Sequence, residues 1–218
     1  MCVYLNTISP LNKFKELLRS KYFVDKTMLI EKINEILDTR DKFLCITKPR
    51  RFGKSSVADM LGAYYSKAFN SEDVFNKLNI SKVNNYKEHL NKYNVIYMTL
   101  NKLPKEGNTY FDYINMIQGY LIKDITKKFP FIKAEDYYSI DDIFSATGEK
   151  FVFIIDEWDY IFSHNLFKEN QDDFLEFLRN ILKDKEYVSL AYMTGVLPIK
   201  QYSTGSALNM FNEYTMLN

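Results

Sequence analysis

The sequence predicts an α/β fold with a mainly parallel sheet and helices on both faces. Two observations carry this. Short, continuous apolar runs at 43–47, 95–100, 151–155 and 188–193 have the character of strands buried on both faces. Between them lie segments whose apolar residues recur at helical spacing, and every parallel crossover needs such a covering helix.

The elements follow in chain order. Segment 12–20 places Phe14, Leu17 and Leu18 on one helical face. Segment 27–38 repeats apolar residues at Leu29, Ile30, Ile33, Ile36 and Leu37, a helix that Asp25 or Thr27 could cap. The run 43–47 is the first strand, and 54–69 is a helix with Val57, Leu61, Tyr64, Tyr65 and Ala68 on one side. The polar stretch 76–94 predicts a surface helix, and 95–100 is the second strand. A long helix over 109–128 turns Phe111, Ile114, Ile117, Leu121 and Ile125 inward. The third strand is 151–155, followed by an amphipathic helix over 171–183 through Phe174, Phe177, Leu178, Ile181 and Leu182. A fourth strand covers 188–193 and a fifth 213–217.

Composition narrows the function. The chain has 218 residues, 46% of them hydrophobic, enough for a sizeable core. With 29 Lys+Arg against 28 Asp+Glu, the net charge of +1 points away from a strongly basic nucleic-acid binder. Cys2 and Cys45 make no disulfide framework, and with His89 and His164 they give no zinc-type spacing. No run approaches the roughly 18 apolar residues that span a bilayer. The first ten residues lack the character of a signal peptide, so a cytoplasmic setting without a membrane partner is expected.

In open parallel sheets ligands bind beyond the carboxyl ends of strands. The first strand ends in Thr47-Lys48-Pro49-Arg50-Arg51-Phe52-Gly53-Lys54-Ser55-Ser56. A strand, a loop, Gly-Lys-Ser and then a helix is the context of a phosphate-binding loop. Gly53 lets the backbone approach phosphates, and the loop amides and helix start present N–H groups to an anion. Lys54 can reach the β- and γ-phosphates, and Ser55 can place its hydroxyl on Mg²⁺. The general pattern has a Gly five residues before Gly53, where this chain has Lys48. The plainer alternative is a helix N-terminus with a surface lysine.

The third strand ends in Asp156-Glu157. Two carboxylates at the mouth of a buried strand are costly without a partner. In a phosphate-loop protein the first holds Mg²⁺, directly or through water, and the second orients the attacking water. Asp159 could cap or support this site, and solvated acids at a strand boundary are the alternative. The fourth strand ends in Met193-Thr194-Gly195. Thr194 would sit between the phosphate loop and the Asp-Glu strand, as a sensor of the γ-phosphate or water, or only as the start of a turn with Gly195. Together the motifs and the strand–helix alternation predict a three-layer P-loop NTPase sandwich.

The strings YFVDKT (22–27), KPRRFGKSS (48–56), FIIDEWD (153–159) and TGVLPIKQYSTGSALNMFNEYTML (194–217) resemble the bacterial predicted AAA-ATPase-like family. That family usually joins an ATPase domain to a C-terminal PD-(D/E)XK nuclease-like domain, and its loop commonly has a basic residue where Lys48 stands. The resemblance implies ATP and Mg²⁺ as ligands, with Tyr22, Phe23 and Val24 bordering the adenine. It also implies an N-terminal helical segment over 1–42 and an ATPase core over 43–218, with the lid and the nuclease-like domain absent from the chain. Three function classes stand: a Mg²⁺-dependent ATPase, a nucleotide-binding switch with little turnover, and a nucleic-acid-associated module. The basic pair Lys127-Lys128 speaks for the third. A homo-oligomer would provide an arginine finger from outside the phosphate loop.

Overall fold

The computed structural model describes residues 2–105, 109–202 and 207–215. The strands are β1 (Phe43–Thr47), β2 (Asn94–Thr99), β3 (Phe151–Asp156), β4 (Val188–Gly195) and β5 (Asn212–Thr215). They form one all-parallel sheet in the order β2-β3-β4-β1-β5. The longer helices are α1 (Ser9–Leu18), α2 (Leu29–Asn34), α3 (Lys54–Tyr65), α5 (Tyr110–Lys128), α6 (Ile140–Ala146) and α8 (Gln171–Leu182). Single turns of helix add α4 (Glu72–Phe75), α7 (Tyr160–Ser163) and α9 (Ile199–Tyr202).

Alternation along the strands divides the core into two layers. Ile96, Met98, Phe153, Ile155, Ala191 and Met193 pack with α5, α6 and α8. Their neighbours Val95, Tyr97, Val152, Ile154, Leu190 and Tyr192 pack on the other face with α1, α2 and α3. The predicted α/β sandwich is therefore present, with helices on both sides.

Several boundaries differ from the sequence reading. Helix α3 stops at Tyr65 rather than 69, and Ala68 is exposed. The Asn91 amide accounts for the stop: it donates to the carbonyls of Tyr64 at 3.3 Å and Ser66 at 2.9 Å, satisfying acceptors that a longer helix would have used. Segment 27–38 keeps only α2, with Leu29 exposed, and neither Asp25 nor Thr27 caps it. Instead Asp25 accepts from the backbone N–H groups of Thr27 at 2.8 Å and Asn79 at 2.7 Å, and Thr27 accepts from that of Ile80 at 3.1 Å. These bonds tie the 22–27 segment to a short 3₁₀ turn, Asn79–Lys82, which with a second, Tyr86–Glu88, stands where the sequence predicts a surface helix.

In α5 the Thr109–Asp112 capping box fixes the start, and the buried row Tyr113, Ile114, Ile117, Leu121 and Ile125 sets the phase. Tyr110 then takes the inward place, and Phe111, expected inside, is 71% exposed. Helix α6 was not anticipated. The part of the predicted fifth strand beyond Thr215 lies outside the described residues.

The outer edge of β2 is covered by the N-terminal segment. Leu5 forms an antiparallel bridge to Ile96, and the buried Asp124 carboxylate accepts from the backbone of Val3, Tyr4 and Leu5 at 2.6–3.0 Å. Among the described residues no helix is long and apolar enough to cross a membrane.

Candidate functional site

The site forms where β1, β3 and β4 end. After Thr47 the chain turns through Lys48–Gly53 and enters α3. Arg51 and Gly53 both adopt left-handed conformations, φ 69° and 75°. The space around Gly53 would admit a Cβ, so its conformation is what favours glycine there. No side chain caps α3, and its first turn contains no acid. A 12-residue helix thus points its positive end at Lys54, with Arg50 and Arg51 beside it, an arrangement that calls for an anion. The Lys54 ammonium donates to the loop's own carbonyls, Lys48 at 2.8 Å and Pro49 at 3.0 Å.

Opposite the loop, Asp156 closes β3 and is buried. Its carboxylate accepts from the Thr194 hydroxyl and from the Glu157 N–H, the latter at 3.2 Å. Thr194 is fully buried and lies within β4, which runs two residues further than expected. It is paired with Ile46 on one side and Asp156 on the other. Glu157 adopts φ 56°, a conformation uncommon for a residue with a Cβ, and this turns it off the strand.

A cavity of about 570 Å³ joins the two halves. Arg50, Arg51, Gly53, Lys54, Ser55 and Ser56 line it from the loop side, and Glu157, Asp159, Gly195 and Val196 from the strand ends. Asp156 and Thr194 are not in its lining; both are buried and hydrogen-bonded to each other. On the other side of the loop, a pocket of about 380 Å³ brings Tyr22, Phe23 and Val24 against Arg51, Phe52 and Gly53. Lys48 and Phe52 border a third groove of about 690 Å³, with Ile33, Ile46 and Tyr214. Pro49 lines none of the three and contributes its carbonyl to Lys54.

Residues that the motif reading missed also line the main cavity: Asn101, Tyr160, Ser163 and His164. Asn101 had a signal, because it closely follows a strand end. The Leu100 N–H donates to the Asp156 carbonyl at 3.1 Å and sets that chain beside the acidic turn. Among the described residues no group of three or more His, Cys, Asp or Glu is placed to hold a metal ion.

A carboxylate that the motifs do not reveal lies on the sheet-facing side of α3. Asp59 is buried, accepts from the Tyr97 hydroxyl at 2.7 Å and has Lys13 at 4.0 Å. Burial pushes its pKa up to about 6, with the Asp156 charge adding to the rise and Tyr97 and Lys13 opposing it. The folded pKa exceeds the unfolded one, so this group's contribution to stability is complete below about pH 4 and is lost as pH rises through about 6. Asp59→Asn should therefore flatten the fall in melting temperature across that window, measured by thermal denaturation at stepped pH. Parallel wild-type and variant profiles would contradict this.

The strand order and the loop between β1 and α3 define a P-loop-like α/β fold. The family model described as Predicted AAA-ATPase matches residues 10–204, and the chain belongs to that family. No curated protein and no solved structure matches the chain.

Proposed function

We propose that the protein binds ATP and hydrolyses it to ADP and phosphate in a Mg²⁺-dependent reaction. The observation that carries this is the shared cavity: an uncapped helix start with Lys54 and Ser55 faces Glu157 across one space. Membership of the family supports the same reading.

In this reading the backbone N–H groups of residues 50–53 and the start of α3 cradle the phosphates, with Ser56 beside them. Lys54 leaves the carbonyls of Lys48 and Pro49 and moves its ammonium onto the β- and γ-phosphates. The hydroxyl of Ser55 and the carboxylate of Asp156 are hard oxygen donors, the chemistry that suits Mg²⁺. Held by these groups, the ion would supply positive charge to offset that of the phosphates. The Thr194 hydroxyl donates to the Asp156 carboxylate and holds it in orientation. Glu157 accepts a proton from water as the water oxygen attacks the γ-phosphorus and the bond to ADP breaks. The pocket walled by Tyr22, Phe23 and Val24 takes the base. Calorimetric titration with ATP and Mg²⁺ tests the binding. One saturable site is expected, and a folded protein that takes up no nucleotide would refute the reading.

The arginines favour slow turnover by a single chain. Arg179 is paired with Glu176 on its own helix at 2.8 Å, Arg19 donates to the carbonyl of Lys15, and neither lines the cavity. Arg40 precedes β1, at the far end of that strand from the loop. An arginine acting on the transferred phosphoryl group is worth about 10³–10⁵ in rate. Turnover per chain should rise with protein concentration as copies assemble and supply that charge. Fast turnover independent of concentration, by a proven monomer, would contradict this.

A further inference from the structure

We propose that Asp159 is a positioning residue that clamps the turn after β4 and so sets the spacing between the phosphate loop and Glu157. This rests on the hydrolytic reading of the cavity and assigns one more residue within it.

Asp159 is 3% exposed, and among the described residues no Lys, Arg or His lies within ion-pair distance of it. A buried carboxylate without a cation needs other compensation. It finds it in the backbone. One oxygen, Oδ2, accepts from the N–H groups of Val196 at 2.9 Å and Leu197 at 2.8 Å. Bonds of this charge-assisted kind are stronger than neutral ones. The other oxygen, Oδ1, lies against Gly195, where a Cβ would stand 2.7 Å from it.

Trp158 crowds the same position on that glycine. Its indole is fully buried, and a Cβ on Gly195 would lie 2.5 Å from Nε1. Nε1 has no hydrogen-bond partner among the described residues. Leaving a buried donor unpaired is unfavourable, so the close packing of indole, glycine and carboxylate holds against that cost. The Trp158 backbone N–H donates to the Thr194 carbonyl at 3.1 Å.

Three of the four residues in Asp156-Glu157-Trp158-Asp159 thus grip the end of β4. The fourth, Glu157, lines the cavity, as Asp159 does too. The gripped turn continues the chain of contacts, because the Gly195 carbonyl accepts from the Lys48 N–H at 3.2 Å, the first residue of the phosphate loop. A path of direct contacts therefore runs from the acidic turn through residues 194–197 to the loop. Releasing the clamp should disturb the distance across the cavity while leaving the loop's own anion-binding groups in place.

The test compares Asp159→Ala, Asp159→Asn and Gly195→Ala in the full chain. Asparagine keeps one oxygen able to accept from both N–H groups. Readouts are ATP affinity, single-turnover hydrolysis and the emission of Trp158, the sole tryptophan. Asp159→Ala should hold ATP affinity within about threefold and lose about tenfold or more of the hydrolytic rate, the scale of a small misplacement. Its emission should shift to the red as water reaches the indole N–H. Asp159→Asn should retain most of the rate and the wild-type emission, and Gly195→Ala should behave like Asp159→Ala. The proposal is overturned if Asp159→Ala keeps both rate and emission, or if Asp159→Asn is damaged as badly as Asp159→Ala. If Asp159→Ala does not fold, wild-type behaviour of Gly195→Ala overturns it. If wild type does not hydrolyse ATP, the functional reading fails separately, and an unshifted Asp159→Ala emission still overturns the clamp.

Discussion

Lys54→Ala should give a folded protein that has lost about 10²-fold or more of its affinity for ATP, the scale of removing one partner from a hydrogen-bonded charge pair. The fold should survive because, among the described residues, the Lys54 ammonium bonds only to the carbonyls of Lys48 and Pro49, at the partly exposed loop. Removing a cation from the positive end of α3 relieves a local repulsion, so the melting temperature should hold or rise slightly. Calorimetric titration beside a thermal melt measures both. Unchanged affinity in a folded variant would remove the phosphate-loop reading, and with it the assignment of the whole cavity.

Glu157→Gln separates binding from chemistry. The glutamine keeps the shape of the side chain and loses the base, so nucleotide should bind as before while hydrolysis falls by about 10²-fold or more. The backbone at φ 56° is equally unfavourable for glutamine and glutamate, so stability should change little. Asp156→Asn should act differently. It alters a buried acceptor of the Thr194 hydroxyl and removes a charge suited to Mg²⁺, so the Mg²⁺-dependent part of nucleotide affinity should weaken. Identical behaviour of the two variants would show that the division of roles between the carboxylates is wrong.

Much of the architecture was legible because four strands are continuous apolar runs that admit few other readings. Their parallel direction follows from the helices between them, since parallel strands need crossovers, and the motifs place the Thr194 strand between the phosphate-loop strand and the Asp-Glu strand, as observed. The helices were harder. The phase of α5 was misjudged at Phe111 because Tyr110 and Phe111 are both large and aromatic, and only the capping box and the tertiary row at Tyr113 choose between them. Helix α6 spans seven residues, too short for its periodicity to stand out. The bonds from Asp124 to Val3, Tyr4 and Leu5 cross about 120 residues of sequence and leave no local trace.

The candidate site was legible in unequal parts. The phosphate loop and the acidic strand end are compact strings, and each carries its chemistry in adjacent residues. Asn101, Tyr160, Ser163 and His164 join the cavity only through the fold. Asp59 could have been flagged as an acid within an otherwise apolar helix run. The burial of Asp156 and Thr194 out of the cavity lining, paired with each other, is a property of the register between β3 and β4 and was not readable from either strand alone.

The central claim is that this cavity binds ATP and cleaves its terminal phosphate with Glu157 as base. Single-turnover release of phosphate from ATP, with protein in excess and Mg²⁺ present, tests it most directly. Release by the wild-type chain is expected, with loss of about 10²-fold or more in rate for Glu157→Gln at unchanged ATP occupancy. Stoichiometric ATP binding without phosphate release, or release that Glu157→Gln leaves untouched, would contradict it.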